Sequence, residues 1–380
     1  MRGAELTCTD LGAPARANLA GMTVRLRTTL AALPAYVPGR TVPGAVKLAS
    51  NETAYGPLPH VVQRITEVAA DANRYPDSFS TELGAALADK FGVESARVVV
   101  GCGSVSLCQQ LVLATAGEGD EVIFGWRSFE AYPIITAIDG ASAVRVPLTE
   151  DRHDLAAMAA AVTDRTRLIF VCNPNNPTGT VVPGADLTAF LDAVPSDVVV
   201  VLDEAYREFV TDASVLDGTT LLGRYPNVIV LRTFSKAYGL AGLRVGYGIA
   251  ADAAVSNAVR QTQVPFAVTQ IAQAAALACL EPEAERQLAE RVAEVTTERG
   301  RVLAELRAIG YAVPESQANF VWLGNGPIAD GGIDAVSFAA GCEERGVIVR
   351  PFADSGVRVT IGTEPENDKF LSCARELRAV

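Results

Sequence analysis

The stretch Arg232-Thr233-Phe234-Ser235-Lys236-Ala237-Tyr238-Gly239-Leu240-Ala241-Gly242-Leu243-Arg244 follows directly on the apolar run Asn227-Val228-Ile229-Val230-Leu231. That run is short and β-branched, and it predicts a buried strand. Lys236 then stands among small and hydroxyl-bearing residues, with Arg244 as a second cation beyond the glycines. A surface lysine needs no such setting. One held at a strand end and flanked by glycines is positioned for chemistry or for an anion. Groups able to meet it recur along the chain, each at the end of a predicted strand.

Arg97–Val100, Glu121–Phe124, Ala143–Val146, Leu168–Val171, Val198–Leu202 and 227–231 are apolar runs alternating with helical patterns. Continuous apolar strands separated by helices predict an α/β fold with a mostly parallel sheet covered on both faces. Ligands of such sheets gather at the carboxyl ends of the strands. Arg244–Ala250 reads as a further strand running against the others. From about residue 263 the texture changes to Ala- and Glu-rich helical patterns over 267–281 and 283–309. Strands at Asn319–Leu323, Val347–Val349 and Val357–Ile361 follow, with helices around 334–345 and 365–378. The expected organisation is an extension over 1–21, an N-terminal arm over 22–48, a large domain over 49–262 and a smaller α/β domain over 263–380.

At 380 residues the chain is long enough for two domains. Its net charge of −12 argues against broad nucleic-acid binding, which needs clustered Lys and Arg. No window approaches the roughly 18 apolar residues of a membrane span, and residues 1–21 lack the apolar block of a signal peptide. Met22 is a second candidate start. The seven cysteines are scattered without a C-x-x-C pair, and the two histidines, His60 and His153, lie far apart. Neither a disulfide framework nor a metal site is expected, and reduced thiols fit a cytoplasmic protein.

Five stretches carry candidate chemistry. Gly101-Cys102-Gly103-Ser104-Val105-Ser106 links a strand to a helix start, the geometry in which close backbone approach and free amides bind a phosphate. Asn173-Pro174-Asn175-Asn176-Pro177-Thr178-Gly179 ends another strand and by composition is a turn. Asp203-Glu204-Ala205-Tyr206 delivers a carboxylate to a strand end, as a helix cap would also do. Arg244 suits a phosphate through its planar fork, although alone it reads as a surface ion pair. Arg350 and Arg358 sit in strand patterns that by themselves put arginines in solvent.

Taken together and in this order, these stretches resemble the pyridoxal-phosphate-dependent aminotransferases of fold type I, in the histidinol-phosphate and aromatic (phenylalanine) branch, over roughly residues 24 to 379. The resemblance implies a seven-stranded, mostly parallel sheet in an αβα sandwich beside a smaller α/β domain. It implies pyridoxal 5'-phosphate as cofactor, with Lys236 as the Schiff-base lysine and proton shuttle. Asp203 keeps the ring nitrogen protonated, so that the ring drains electrons from the substrate. Asn176 and Tyr206 bond the phenolic oxygen, and Phe129 stacks on the ring. Gly103, Ser104, Val105, Thr233, Ser235 and Arg244 hold the phosphate, joined by Tyr55 of a neighbouring subunit in a homodimer. Arg358 grips the substrate's anionic group, and Arg350, Asn319, Phe266 and Tyr36 complete the substrate site. The family's usual Gly-Asn-Gly-Ser-Asp-Glu differs here at Cys102, Val105 and Ser106, which removes side-chain contacts and leaves the backbone ones.

The expected reaction is ping-pong transamination of aromatic amino acids (phenylalanine, tyrosine, tryptophan) with 2-oxoglutarate; the alternative is histidinol phosphate. Ala267 after Pro265-Phe266, where histidinol-phosphate enzymes usually carry Asn, leans toward the aromatic substrates, as does Trp126-Arg127-Ser128-Phe129-Glu130-Ala131-Tyr132. A decarboxylase or β-eliminating lyase on the same fold is the rival enzyme reading, and Arg358, expected to hold the carboxylate, disfavours decarboxylation. A regulatory module lacks a DNA-binding domain, and a dehydrogenase lacks the Gly-x-Gly-x-x-Gly turn.

Overall fold

The computed structural model describes residues 39–379 together with Arg27 and Leu33; Tyr36, the predicted lid residue, and the proposed 1–21 extension lie outside the described residues. In chain order the elements are β1 (Val46–Lys47), α1 (Pro59–Ala69), α2 (Thr81–Phe91), β2 (Val98–Gly101), α3 (Ser104–Thr115), β3 (Glu121–Trp126), α4 (Ala131–Asp139), β4 (Ser142–Pro147), α5 (Leu155–Ala160), β5 (Thr166–Cys172), α6 (Gly184–Ala193), β6 (Val199–Asp203), β7 (Val228–Thr233), β8 (Gly246–Ala250), α7 (Ala253–Gln261), α8 (Gln270–Cys279), α9 (Pro282–Ile309), β9 (Phe320–Gly324), α10 (Ala335–Glu344), β10 (Val347–Ile348), β11 (Arg350–Phe352), β12 (Gly356–Thr360) and α11 (Glu364–Arg378).

Seven strands form one sheet in the order β2-β8-β7-β6-β5-β3-β4. Only β8 runs against its neighbours; β7, β6, β5, β3 and β4 are mutually parallel. β7 is buried along its whole length and β5 at every residue but Arg167, which is why their sequences are continuous apolar runs rather than alternating ones. One face packs a core of Val100, Ile123, Ile169, Val200 and Val230 against the surrounding helices. The other packs Phe124, Phe170, Val201 and Ile229 under α3 and α4. Helix starts carry their sequence signals: Asp154, Asp252, Thr269 and Asp334 accept backbone N–H bonds at N-caps, and Thr363 with Glu366 closes a capping box on α11.

A second core gathers β9, β12, α9, α10 and α11 around Val302, Leu306, Phe320 and Phe370. Its three-stranded sheet runs β11-β12-β9, and β1 pairs in parallel with β10, tying the arm's end to this unit. Val268 and α8 pack with the first core, as does Ala284 at the start of α9; Val295 of the same helix belongs to the second. Among the described residues no helix is long and apolar enough to cross a membrane, and the described cysteines are free.

Candidate active site

The carboxyl ends of β2, β3, β5, β6 and β7 all open on one edge of the large sheet, and the second core closes over it. Between them lies a cavity of about 460 Å³. Its walls include Ser104, Val105, Phe129, Asn176, Asp203, Tyr206, Thr233, Ser235, Lys236, Arg244, Arg350 and Arg358, each singled out from the sequence.

Local geometry explains how each arrives there. Lys236 sits in a tight loop after β7, closed by Gly239 N–H to the Lys236 carbonyl and Leu240 N–H to the Phe234 carbonyl; Gly239 at φ +72° makes that turn possible. The ammonium points inward, donating to the Ser50 carbonyl at 3.3 Å. Burial and the neighbouring Arg358 guanidinium push its pKa down to about 7. At pH 7 about half of this lysine is then free amine.

Asp203 ends β6, opposite Cys172 of β5. Its Oδ2 accepts from the Tyr132 hydroxyl at 2.6 Å and Oδ1 from the Ala205 N–H at 3.3 Å. Burial pushes its carboxyl pKa up, while the Tyr132 bond, the Ala205 N–H and Lys236 oppose this. The adjacent Glu204 faces the other side, pairing with buried Arg232 at 2.6 Å. Tyr206 keeps its phenolic proton, because burial raises its pKa, and its oxygen accepts from Asn51 Nδ2 at 2.9 Å.

At the far end, Thr233, Ser235 and Arg244 are linked: Thr233 Oγ1 accepts from the Ser235 N–H at 3.1 Å, and Arg244 Nη1 donates to Ser235 Oγ at 3.2 Å. Gly103, at φ +73°, caps the N-terminus of α3. A Cβ there would stand 2.5 Å from Arg244 Nη2, so the glycine lets the guanidinium lie against the helix start. A helix N-terminus, two hydroxyls and an arginine form an anion cradle.

On the opposite wall, Arg358 donates to Asn176 Oδ1 at 2.6 Å and to the Ala49 carbonyl at 2.8 Å. Arg350 is its cross-strand partner and pairs with Glu130 at 2.9 Å. Like charges directly opposite on a sheet repel, and an anion bound between them relieves that repulsion. Asn175 is structural, bonding Ser128 and Thr178 at 2.7 and 2.9 Å.

Four predicted residues among the described ones do not line the cavity: Gly103, set against Arg244, and three others. Tyr55 lies against the Arg291 guanidinium, with its phenol pKa pushed up to about 12 by a hydrogen bond to Glu294. Phe266 is 42% exposed and stacks on Tyr75 with centroids 4.6 Å apart. Asn319 donates to the Asn51 carbonyl at 3.2 Å, one layer behind the wall. Two residues without a predicted role prove central, Asn51 and Tyr132. Tyr132 lies in the quoted Trp126–Tyr132 string, three residues after Phe129, and Asn51 lies four residues before Tyr55.

Residues 43–373 match the family described as aminotransferase class I and II. The chain belongs to that family. Among its relatives, the aromatic amino acid aminotransferase of Streptomyces coelicolor is 58% identical over 93% of this chain and 98% of its own length. The enzyme of the same name from Rhodococcus jostii is 57% identical, covering 94% and 97%. Among solved structures, histidinol-phosphate aminotransferase from Sinorhizobium meliloti in complex with pyridoxal-5'-phosphate aligns with a TM-score of 0.84 at 29% identity, over 95% of this chain and 99% of that one. Aspartate aminotransferase from Thermus thermophilus with maleate gives 0.78 at 25%, over 88% and 92%. In this aminotransferase the lysine of depressed pKa, the buried carboxyl and the anion cradle share one cavity. That donor set fits a phosphorylated pyridine aldehyde.

Proposed function

We propose that this aminotransferase uses pyridoxal phosphate to move amino groups from aromatic amino acids to 2-oxoglutarate. The observation that carries the reading is that Lys236 Nζ, the Asp203 carboxyl and the Arg350–Arg358 pair line a single cavity. Bound there, the cofactor would supply an aldehyde carbon and an electron-withdrawing ring. Arg244, Ser235, Thr233 and the α3 N-terminus would hold its phosphate, Phe129 would cover its ring, and Asn176 and Tyr206 would bond its phenolic oxygen. Asp203 would hold the proton of its ring nitrogen.

Arg358 orients the α-carboxylate of the amino acid through a planar fork, aligning the α-hydrogen with Lys236. Lys236 Nζ, with about half its population unprotonated at pH 7, takes that proton and returns it on the other side of the transfer. Phe129, Ala131 and Ile134 give the cavity an apolar wall for an aromatic side chain, and relatives at 57–58% identity bear the aromatic name. Histidinol phosphate is the second reading, since Arg350 beside Arg358 would also suit a phosphate.

Tyr55 belongs to the neighbouring subunit's phosphate site in a cytoplasmic homodimer on this proposal; it lies outside the cavity of its own chain. The two cores would act as two domains, and α9 spans both, with Ala284 in the first core and Val295 in the second. Steady-state kinetics test the reading: kcat/KM for phenylalanine should exceed that for histidinol phosphate, and the reverse order would overturn it.

A further inference from the structure

The hydroxyl of Tyr132 makes one of the shortest bonds at the site, 2.6 Å to Asp203 Oδ2. The residue is 0% exposed. Its ring lies parallel to Phe170 with centroids 4.3 Å apart and an interplanar angle of 9°, and it meets the cavity-wall ring of Phe129 edge-on at 5.5 Å. Phe124 closes a third side at 5.8 Å. The rings hold the phenol in place with its hydroxyl donating to Asp203.

We infer that Tyr132 is a positioning residue that keeps Asp203 ionised, and through Asp203 keeps the cofactor's ring nitrogen protonated. The inference rests on the pyridoxal-phosphate reading for its second half only. Its first half concerns this chain's own atoms.

The groups facing Asp203 are Tyr132 from α4, Cys108 from α3, Cys172 from β5, Tyr206, and Lys236 from the loop after β7. Burial raises the pKa of both thiols and both phenols, so these four stay protonated and neutral. Lys236, about half protonated near pH 7, adds a partial positive charge that also favours the carboxylate. Among these side chains, Tyr132 is the one in hydrogen-bond contact with the carboxylate. A phenol that holds its proton donates, and a bond to a charged acceptor favours the charged form. Without it the carboxylate remains in an apolar box and takes up a proton itself, leaving the ring nitrogen without its ionic partner.

The test uses Tyr132→Phe, which removes one oxygen and keeps the ring, together with 3-fluorotyrosine placed at position 132, a more acidic phenol that donates more strongly. In apoenzyme labelled with [γ-13C]aspartate, with the Asp203 signal assigned by its loss in Asp203→Asn, Tyr132→Phe should raise the Asp203 titration by about one to two pH units. The fluorinated protein should lower it. In the holoenzyme, Tyr132→Phe should reduce kcat by about ten- to a hundredfold, leave KM for phenylalanine nearly unchanged and move the pH profile of kcat upward. An Asp203 titration that stays fixed in both proteins would overturn the inference. Should Tyr132→Phe not fold, the fluorinated protein decides by the sign of its shift, a fixed or upward titration refuting the idea. Failure of wild-type apoenzyme to bind pyridoxal phosphate would sink the cofactor reading separately, because the carboxyl titration is measured without cofactor.

Discussion

Lys236 is the residue whose chemistry is most open to direct measurement. The fall of its pKa from 10.5 to about 7, caused first by burial and then by Arg358, corresponds to roughly 5 kcal/mol of bias against the ammonium form, a figure that solvent in the cavity trims. At pH 7.5 about three-quarters of the lysine is then free amine, against about 0.1% at the ordinary value, a gain of several hundredfold in nucleophile and base. The chain contains four lysines, Lys47, Lys90, Lys236 and Lys369, so [ε-13C]lysine labelling of the apoenzyme gives few signals, and Lys236→Met identifies the relevant one. Its chemical shift should titrate near pH 7, and Arg358→Gln should raise that midpoint by about one unit, since a like charge is removed. The linkage has a definite sign. A lysine depressed in the folded state means that the unfolded chain binds more protons between about pH 7 and 10.5, so this group's contribution makes the apoenzyme more stable as pH rises through that window and is most unfavourable below it. Lys236→Met should therefore stabilise the apoenzyme at pH 6 and have little effect above pH 10.5. A Lys236 signal titrating above about pH 9.5 would refute the argument.

Two other substitutions probe opposite ends of the cavity. Gly103→Ala introduces a Cβ 2.5 Å from Arg244 Nη2 at φ +73°, and is expected to weaken pyridoxal phosphate binding to the apoenzyme by about tenfold or more through strain and a displaced guanidinium. Fluorescence titration checks this, and unchanged affinity would remove Gly103 and Arg244 from the cradle. Arg358→Lys keeps the charge but loses the planar fork, so KM for phenylalanine should rise by about 10- to 100-fold. An unchanged KM in steady-state assays would show that the α-carboxylate is held elsewhere.

Much of the architecture was legible before any coordinates. The apolar runs over 168–171, 198–202 and 227–231 became β5, β6 and β7, because strands buried on both faces need apolar side chains in both directions. Gly-rich turns and polar strings at their ends marked the cavity edge, and Lys236, Asp203, Asn176 and Arg244 follow from those strings. The reversed direction of β8 agrees with the reading of 244–250 as a strand running against the others. Beyond the texture change near 263, Ala-rich α8 packs with the large sheet's core; composition records that a helix is buried, not against what.

What the chain alone determined about Asp203-Glu204 was that two acids follow an apolar strand. The fold sends Asp203 into the cavity and Glu204 to Arg232 on the other side, because successive side chains of a strand point to opposite faces while only packing says which face holds the site. The same sorting separates Arg232, a buried structural cation, from Arg244 at the phosphate cradle. Asn51 reaches Thr360 across 309 residues, and Tyr132 reaches Asp203 across 71. No local periodicity encodes such pairs, and the tertiary structure alone assembles them around Lys236.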